Sequence, residues 1–289
     1  MKIVANPKAK TLVIRIDWWL WRVVASTGAI TELAKRWIYD KVIVATSRPL
    51  VFWWNPYVEV RWLDDRNLYC DCIRWNDYKV LEPYDEPSFF NDWENWLPIF
   101  ARQLWLDWEY DPVLFLTEQE KCDNRLEWNR VLLFQPFGST MNINGWDKSY
   151  RSIRVEDAQY IANELANKGW TVYNVIKPNS QPTLNNTITL DTPDLRFVLT
   201  LCARYPVLWC DSSLHHIAKW LWKKAVVVWH STDAWRFWYK SNTNLKEKEM
   251  VEYVPLRLMI NDFNFDCINQ HTNEHTKERI DNTLLSLYN

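Results

Sequence analysis

The stretch from residue 209 to residue 233 carries the densest chemistry in the chain. An apolar run, Val207 to Cys210, leads into Asp211-Ser212-Ser213, then Leu214, His215 and His216, and the stretch closes on Ser231-Thr232-Asp233. A helix starting after Asp-Ser-Ser presents unpaired backbone N–H groups, which suit a diphosphate. Ser212 and Ser213 add hydroxyl donors, and Asp211 can accept from a sugar hydroxyl. The same residues also read as an ordinary N-cap, and His216 also reads as a core histidine.

Two more segments carry candidate groups. In residues 12–30, Asp17 ends a strand-like run and Arg22 opens a helix-like one. Arginine stays protonated, so Arg22 suits a phosphate or carboxylate rather than proton abstraction; a solvated helix residue is the other reading. Asp17 is the carboxylate nearby in sequence that could take a proton. In residues 131–152 a strand, Val131 to Phe134, leads through Gln135-Pro136-Phe137-Gly138 to Ser139 and Thr140, with Lys148 beyond. Hydroxyls on a tight loop and a following cation fit a phosphorylated ligand, although Lys148 also reads as a surface lysine.

These groups need elements to hold them. Thr11 to Ile16 predicts a buried strand, with further strands at Val42 to Ala45 and Val58 to Leu63, and another somewhere in Asp71 to Leu81. Helices are predicted over Arg22 to Arg36 and Asn95 to Leu104. Asp111 to Gln119 reads as a connection, after which the pattern restarts. Strands are expected at Arg130 to Phe134, Trp170 to Ile176, Val207 to Cys210 and Ala225 to Trp229. Helices are expected over Val155 to Lys168, Leu195 to Ala203, Leu214 to Leu221 and His275 to Leu287. Asp233 to Lys248 has no clear period and reads as a loop. This alternation predicts parallel sheets flanked by helices.

Composition narrows the class. The 289 residues carry a formal net charge of −2, which argues against a nucleic-acid partner, and 48% are hydrophobic, ample for a core. No stretch approaches the ~20 apolar residues of a membrane span, and Met1 to Lys10 does not read as a signal peptide. The six cysteines form no C-x-x-C pair and read as reduced thiols, with Cys70 and Cys72 on one strand-like face.

One anomaly stands out: 21 tryptophans and 4 glycines. Average usage would give roughly 20 glycines at this length. The tryptophans also sit where glycine belongs. Trp37 and Trp222 follow helix-like runs and precede strands, a C′ position that favours positive φ. Trp18, Trp19 and Trp21 crowd a strand-to-helix turn, Trp53-Trp54-Asn55-Pro56 reads as another turn, and Trp209 precedes the Asp-Ser-Ser turn. Trp62, Trp96, Trp170 and Trp229 fit apolar positions as they stand. The expectation is that the gene uses UGA for glycine and is written here with UGA as tryptophan. The other reading is a tryptophan-rich carbohydrate surface.

Read with glycine at 209 and 222, the 209–233 segment resembles the C-terminal-domain signature of the ADP-heptose:lipopolysaccharide heptosyltransferases, glycosyltransferase family 9. Asp211, Ser212, His216, Ala218 and Thr232 match that pattern, and Ser213 replaces its glycine. Residues 12–30 resemble the family's first strand and glycine-rich loop, with Arg22 where the family has an aspartate base. Residues 131–152 are similar to its next strand, small-residue loop and lysine, through Ser139, Thr140 and Lys148. The resemblance spans roughly residues 11 to 240. It implies an α/β GT-B architecture, two Rossmann-like domains facing across a cleft. Residues 1–122 would form the acceptor side, and residues 123–289 the nucleotide-sugar side with a C-terminal helix. The implied activity is inverting, metal-independent sugar transfer from a nucleotide-diphosphate donor, ADP-heptose by family default, to a glycan or lipopolysaccharide-type acceptor. No cofactor is implied. The setting is cytoplasmic, with transient association at the inner membrane face through a lipid-linked acceptor. Asp17 and Arg22 take the catalytic positions; Ser139, Thr140, Lys148, Asp211, Ser212, Ser213, His216 and Thr232 take the donor-binding ones. Two alternatives stay open: a catalytically silent nucleotide-sugar-binding protein, favoured by Arg22, and a nucleotide-sugar epimerase on the same scaffold.

Overall fold

The computed structural model describes residues 11–17, 20–92, 94–121, 130–146, 151–177, 179–191, 194–221, 225–229, 237, 239 and 241–246. The expected helix at His275 to Leu287 lies outside them. By internal contacts the chain divides into two compact units, Met1–Thr117 with Trp235–Phe237, and Glu118–Ala234 with Trp238–Asn289.

The first unit is built on β1 (Thr11–Arg15), which runs into α1 (Leu20–Lys35), β2 (Lys41–Thr46), β3 (Glu59–Trp62) and β4 (Asp77–Val80). The strands form a parallel sheet in the order β3-β2-β1-β4. β1 is central because its residues are apolar on both faces: Leu12, Val13 and Ile14 are all fully buried. Val13 packs with Ile43, Ala45, Leu68 and Cys72 on one face, and alternation turns Leu12 and Ile14 to the other. Between β3 and β4 the chain makes a π-helical segment, Leu68–Ile73. That segment corrects the expectation for Cys70 and Cys72, which lie on it, exposed and buried respectively, and not on a strand. Beyond β4 come α2 (Pro87–Asn91) and α3 (Trp96–Gln103), and α3 packs on α1. Asn95 caps α3 by accepting from the Leu97 N–H at 3.0 Å.

The second unit starts with the single turn α4 (Glu118–Lys121) and runs β5 (Val131–Gln135), α5 (Val155–Asn167), β6 (Thr171–Ile176), β7 (Ile188–Asp191), α6 (Leu195–Arg204), β8 (Val207–Cys210), α7 (Ser213–Trp220), β9 (Val226–Trp229) and β10 (Thr243–Lys246). Its six strands are parallel, in the order β10-β9-β8-β5-β6-β7. Ala158, Ile161, Ala162 and Leu165 of α5 lie on Leu132, Phe134, Val172, Leu208 and Val228 of the sheet. Burying each of the Val, Leu, Ile and Phe side chains among these stabilises by about 1.5–3 kcal/mol. β7 and β10 are strands the sequence reading lacked; β10 falls inside the stretch expected to be loop.

Helix ends bear on the tryptophans. At the end of α5, Gly169 has φ 80°, and the Trp170 N–H reaches the Leu165 carbonyl at 3.0 Å while the Gly169 N–H reaches Ala166 at 2.9 Å. This is a Schellman stop with glycine at C′. α3 ends in the same bonds, Leu106 N–H to Ala101 at 2.9 Å and Trp105 N–H to Arg102 at 3.0 Å. There Trp105 takes the glycine position, at φ 59°. Trp37, just past α1, has φ 54°, and Trp54 has φ 65°. Bulky residues are genuine outliers in that region. Trp21 lies edge-on to Trp96 with centroids 3.5 Å apart, closer than the ~4.5–7 Å that aromatic pairs prefer. Trp209 is the third residue of β8, the strand expected at Val207 to Cys210; it is fully buried, with an indole N–H that finds no partner.

Candidate functional site

In parallel α/β sheets ligands bind at the carboxyl ends of strands, and in the second unit the polar groups gather there. β8 ends at Cys210, Asp211 and Ser212 make the turn, and α7 begins at Ser213. Ser212 is the N-cap: its backbone is extended and its Oγ accepts from the Leu214 N–H at 3.4 Å. The same hydroxyl donates to Gln135 Oε1 at 2.6 Å. Gln135 ends β5, the neighbour of β8, so this bond ties the two strand ends together.

Asp211 is buried beside this link. Arg151 Nε stands 3.7 Å from its Oδ2, and His215 Nδ1 stands 4.0 Å from Oδ1. Arg151 therefore compensates the charge, but Oδ2 makes no hydrogen bond in the described structure. The loop after β5 is also fastened. The Gly138 N–H donates to Ser152 Oγ at 2.9 Å, and buried Gln181 donates from Nε2 to the Gly138 carbonyl at 2.6 Å. Ser139 and Thr140 follow on this held loop, Ser139 exposed and Thr140 half-buried.

His216 sits deeper, within α7, at 3% exposure. Its Nδ1 lies 2.8 Å from the Tyr239 hydroxyl. Burial, then the neighbouring His215 and Arg151, push its pKa well below the ordinary value of 6.5, so the imidazole is neutral at physiological pH. Lys148 and Thr232 lie outside the described residues, as do the side-chain surroundings of Ser213.

The two catalytic candidates belong to the first unit. Asp17 follows β1 and accepts a hydrogen bond from the Ser47 hydroxyl, just past β2. Arg22 is not the solvated helix residue that one reading expected. It is buried at 2% exposure in the first turn of α1, ion-paired with Glu82, with its guanidinium 5.3 Å from the centre of the Tyr84 ring. Glu82 is fixed in turn by the Tyr84 N–H at 3.3 Å, and Gln103 Nε2 holds its carbonyl at 2.8 Å.

The sequence reading missed Gln135, Arg151, His215, Glu82 and Tyr239. Gln135 and Arg151 lay inside a segment already singled out, but nothing local marked them. Among the described residues no group of three or more His, Cys, Asp or Glu converges as for a metal ion, and no helix is long and apolar enough to cross a membrane.

No protein-family profile matches the chain, and no curated protein sequence does. Solved structures do resemble it. The Escherichia coli ADP-heptose lipopolysaccharide heptosyltransferase II superposes with a TM-score of 0.60 at 14% identity, covering 84% of this chain and 91% of that one. A glycosyl transferase family 9 protein from Veillonella parvula gives 0.63 at 12% identity, covering 98% and 99%. The E. coli heptosyltransferase WaaC with ADP gives 0.64 at 10% identity, covering 87% and 99%. The chain thus has the α/β fold, with two parallel sheets, that these glycosyltransferase structures share.

Proposed function

We propose that the protein is a glycosyltransferase that moves a sugar, heptose by family default, from a nucleotide-diphosphate donor to a glycan or lipopolysaccharide-type acceptor, with inversion and without a metal. The observation that carries this reading is the built carboxyl edge of the second sheet. There the N-terminus of α7, the Ser212–Gln135 link, Asp211 and Arg151 converge. Unpaired N–H groups and Arg151 would stabilise the diphosphate as the glycosidic bond to it breaks. Asp211 and the Ser139-Thr140 loop would bind donor hydroxyls. Lys148, Ser213, His216 and Thr232 are proposed beside them on the resemblance. The similar WaaC structure holds ADP, which agrees with donor binding on this fold. The two units would face each other across the cleft of a GT-B enzyme, with the acceptor on the first, and the enzyme would work in the cytoplasm at the inner membrane face.

The test is a panel of ADP-, GDP- and UDP-linked sugars, scored by calorimetry on the full chain and on Asp211→Ala. Selective binding lost in the variant, with the circular dichroism unchanged, is expected. Equal binding by both proteins, or none to any donor, sinks the reading.

A catalytically silent nucleotide-sugar-binding protein is the second reading, favoured by Arg22. The arginine is buried against Glu82 and cannot take a proton. If transfer occurs, Asp17 is the proposed base, and Asp17→Asn abolishes turnover while leaving donor binding intact. Donor binding with no turnover in any acceptor mixture supports the silent protein.

The active form is proposed to carry glycine at many of the tryptophan positions. The positive φ of Trp37, Trp54 and Trp105 and the crowding of Trp21 support that. UGG codons at these positions would remove the idea.

A further inference from the structure

A pocket of about 300 Å³ lies in the first unit at the amino ends of β2 and β3. Its apolar lining comes from three elements: Ala34 in the last turn of α1, Val42 in β2, and Val58 just before β3. Tyr57 forms one wall and is held in place. Its N–H donates to Asn55 Oδ1 at 3.0 Å, its ring centre lies 6.2 Å from that of Phe115, and Lys35 Nζ stands 5.0 Å from the ring centre. Lys41 and Glu59, the first residues of β2 and β3, supply the polar side. Asp17, the proposed base, bonds to Ser47 just past the opposite end of β2. The six residues of β2, rising ~3.3 Å each, put about 16 Å of strand between the two places. The pocket is therefore remote from the proposed transfer chemistry. Trp37 also lines it, at a position proposed to carry glycine in the active form, and the other groups make the pocket without it.

The polar side carries charges that are already matched. Lys41 Nζ is ion-paired with Glu59 Oε2, and Arg61 Nε donates to Glu59 Oε1 at 2.8 Å. The hydrogen bond from Lys41, the largest influence, holds the Glu59 carboxyl below the usual carboxylate range, so the pair is ionised at neutral pH. An anion entering the pocket would compete with Glu59 for Lys41. A cation would compete with Lys41 and Arg61 for Glu59. A neutral hydroxylated ligand competes with neither. The ammonium has three N–H groups and gives one to Glu59, while each Glu59 oxygen has two lone pairs and accepts one bond. Adjacent hydroxyls of a sugar ring can accept from the first and donate to the second, with Asp40 in the lining as a further acceptor. The C–H face of the ring then lies on Ala34, Val42 and Val58. The volume stands at the lower limit of the ~300–1,000 Å³ of small-molecule pockets, which suits one or two sugar rings.

We infer that this pocket is a second saccharide site, apart from the reacting groups, which takes a neutral sugar between the Lys41–Glu59 pair, Tyr57 and the apolar lining. Its role, holding a distant unit of a glycan acceptor, rests on the transferase reading; the binding of the sugar does not. Amide NMR titrations of the full chain with maltose, lactose, cellobiose, choline and inorganic phosphate test it. At least one disaccharide should shift the amides of residues 41–42 and 57–59, and choline and phosphate should leave them in place. The Lys41→Met/Glu59→Met variant, which removes both charges together, should weaken that binding roughly tenfold or more, the worth of one charge-assisted hydrogen bond, while its titration with ADP stays unchanged. Trp37→Gly should keep the affinity within about twofold. Failure of ADP to bind any of these proteins, with disaccharide binding intact, would remove the transferase reading and keep the pocket. The pocket is overturned if no disaccharide binds the folded chain, if the shifts fall elsewhere, or if choline or phosphate moves these amides. Undiminished binding by the double variant, or binding lost in Trp37→Gly, overturns it as well.

Discussion

Replacing Trp37, Trp54 and Trp105 with glycine should stabilise the first unit. All three residues lie in that unit and hold φ between 54° and 65°. A non-glycine residue in left-handed geometry costs roughly 1–2 kcal/mol. Glycine returns about 0.4–1 kcal/mol of this through its looser unfolded chain, which leaves a gain of ~0.5–1 kcal/mol per site. Little packing is lost, because the side chains are 77%, 63% and 49% exposed respectively. Trp105 should gain least: it is the least exposed, and Lys79 Nζ lies 5.6 Å from its ring centre, a contact of about 0.5 kcal/mol. The sites lie on separate turns, so their effects should add to about 2 kcal/mol. For a unit of this size that is a rise in Tm of roughly 8 °C. Scanning calorimetry on the full chain measures it, with alanine at the same positions as the control. Alanine removes the indole and keeps the strain, so it should leave the Tm flat or lower it. A triple glycine variant no more stable than the triple alanine variant would refute the reasoning. Trp96→Gly checks the other direction: at 3% exposure its loss should cost about 3–5 kcal/mol.

Three further outcomes are expected. Gly28→Ala should be strongly destabilising in urea titration, because an added Cβ would stand 2.0 Å from the Asp111 carbonyl oxygen, a backbone atom that cannot swing aside. Asp194→Ala should cost about 1 kcal/mol by the same assay, since its carboxylate caps α6 by accepting from the Phe197 N–H at 3.1 Å. The second unit should lose stability in acid through His216. Its folded pKa is depressed, so the unfolded chain binds the proton first: stability is intact above the ordinary pKa of 6.5 and falls as pH drops from there toward the folded value. The slope approaches ~1.4 kcal/mol per pH unit, and His216→Gln should flatten it in unfolding curves between those limits. An unchanged slope in that variant would refute the assignment to His216.

The parts of the fold legible in the sequence were those whose cause is local. β1, β2 and β9 are β-branched runs buried on both faces, and α5 carries an apolar stripe that stops at a glycine with φ 80°. β7 and β10 escaped notice because they are four-residue edge strands whose sequences, ITLD and TNLK, are largely polar and carry no long apolar run. The candidate site divides along the same line. Asp211 and Ser212 were visible because a helix cap is a local pattern. Their partners were not, because Ser212 and Gln135 are 77 residues apart and meet only through the adjacency of β8 and β5. That pairing skips β6 and β7, which lie between them in the chain. Arg22 repeats the lesson with a different result. Its position next to a helix start made it a ligand candidate, and only the fold brings Glu82, 60 residues later in the chain, against it. A phosphate at Arg22 would have to displace a carboxylate that the Tyr84 N–H already holds, on a residue whose backbone carbonyl Gln103 fixes. Arg15, Arg48 and Arg66, at or just beyond the carboxyl ends of β1, β2 and β3, have no carboxylate partner among the described residues, so the uncommitted cationic groups of that sheet edge are these and not the arginine that the sequence put forward.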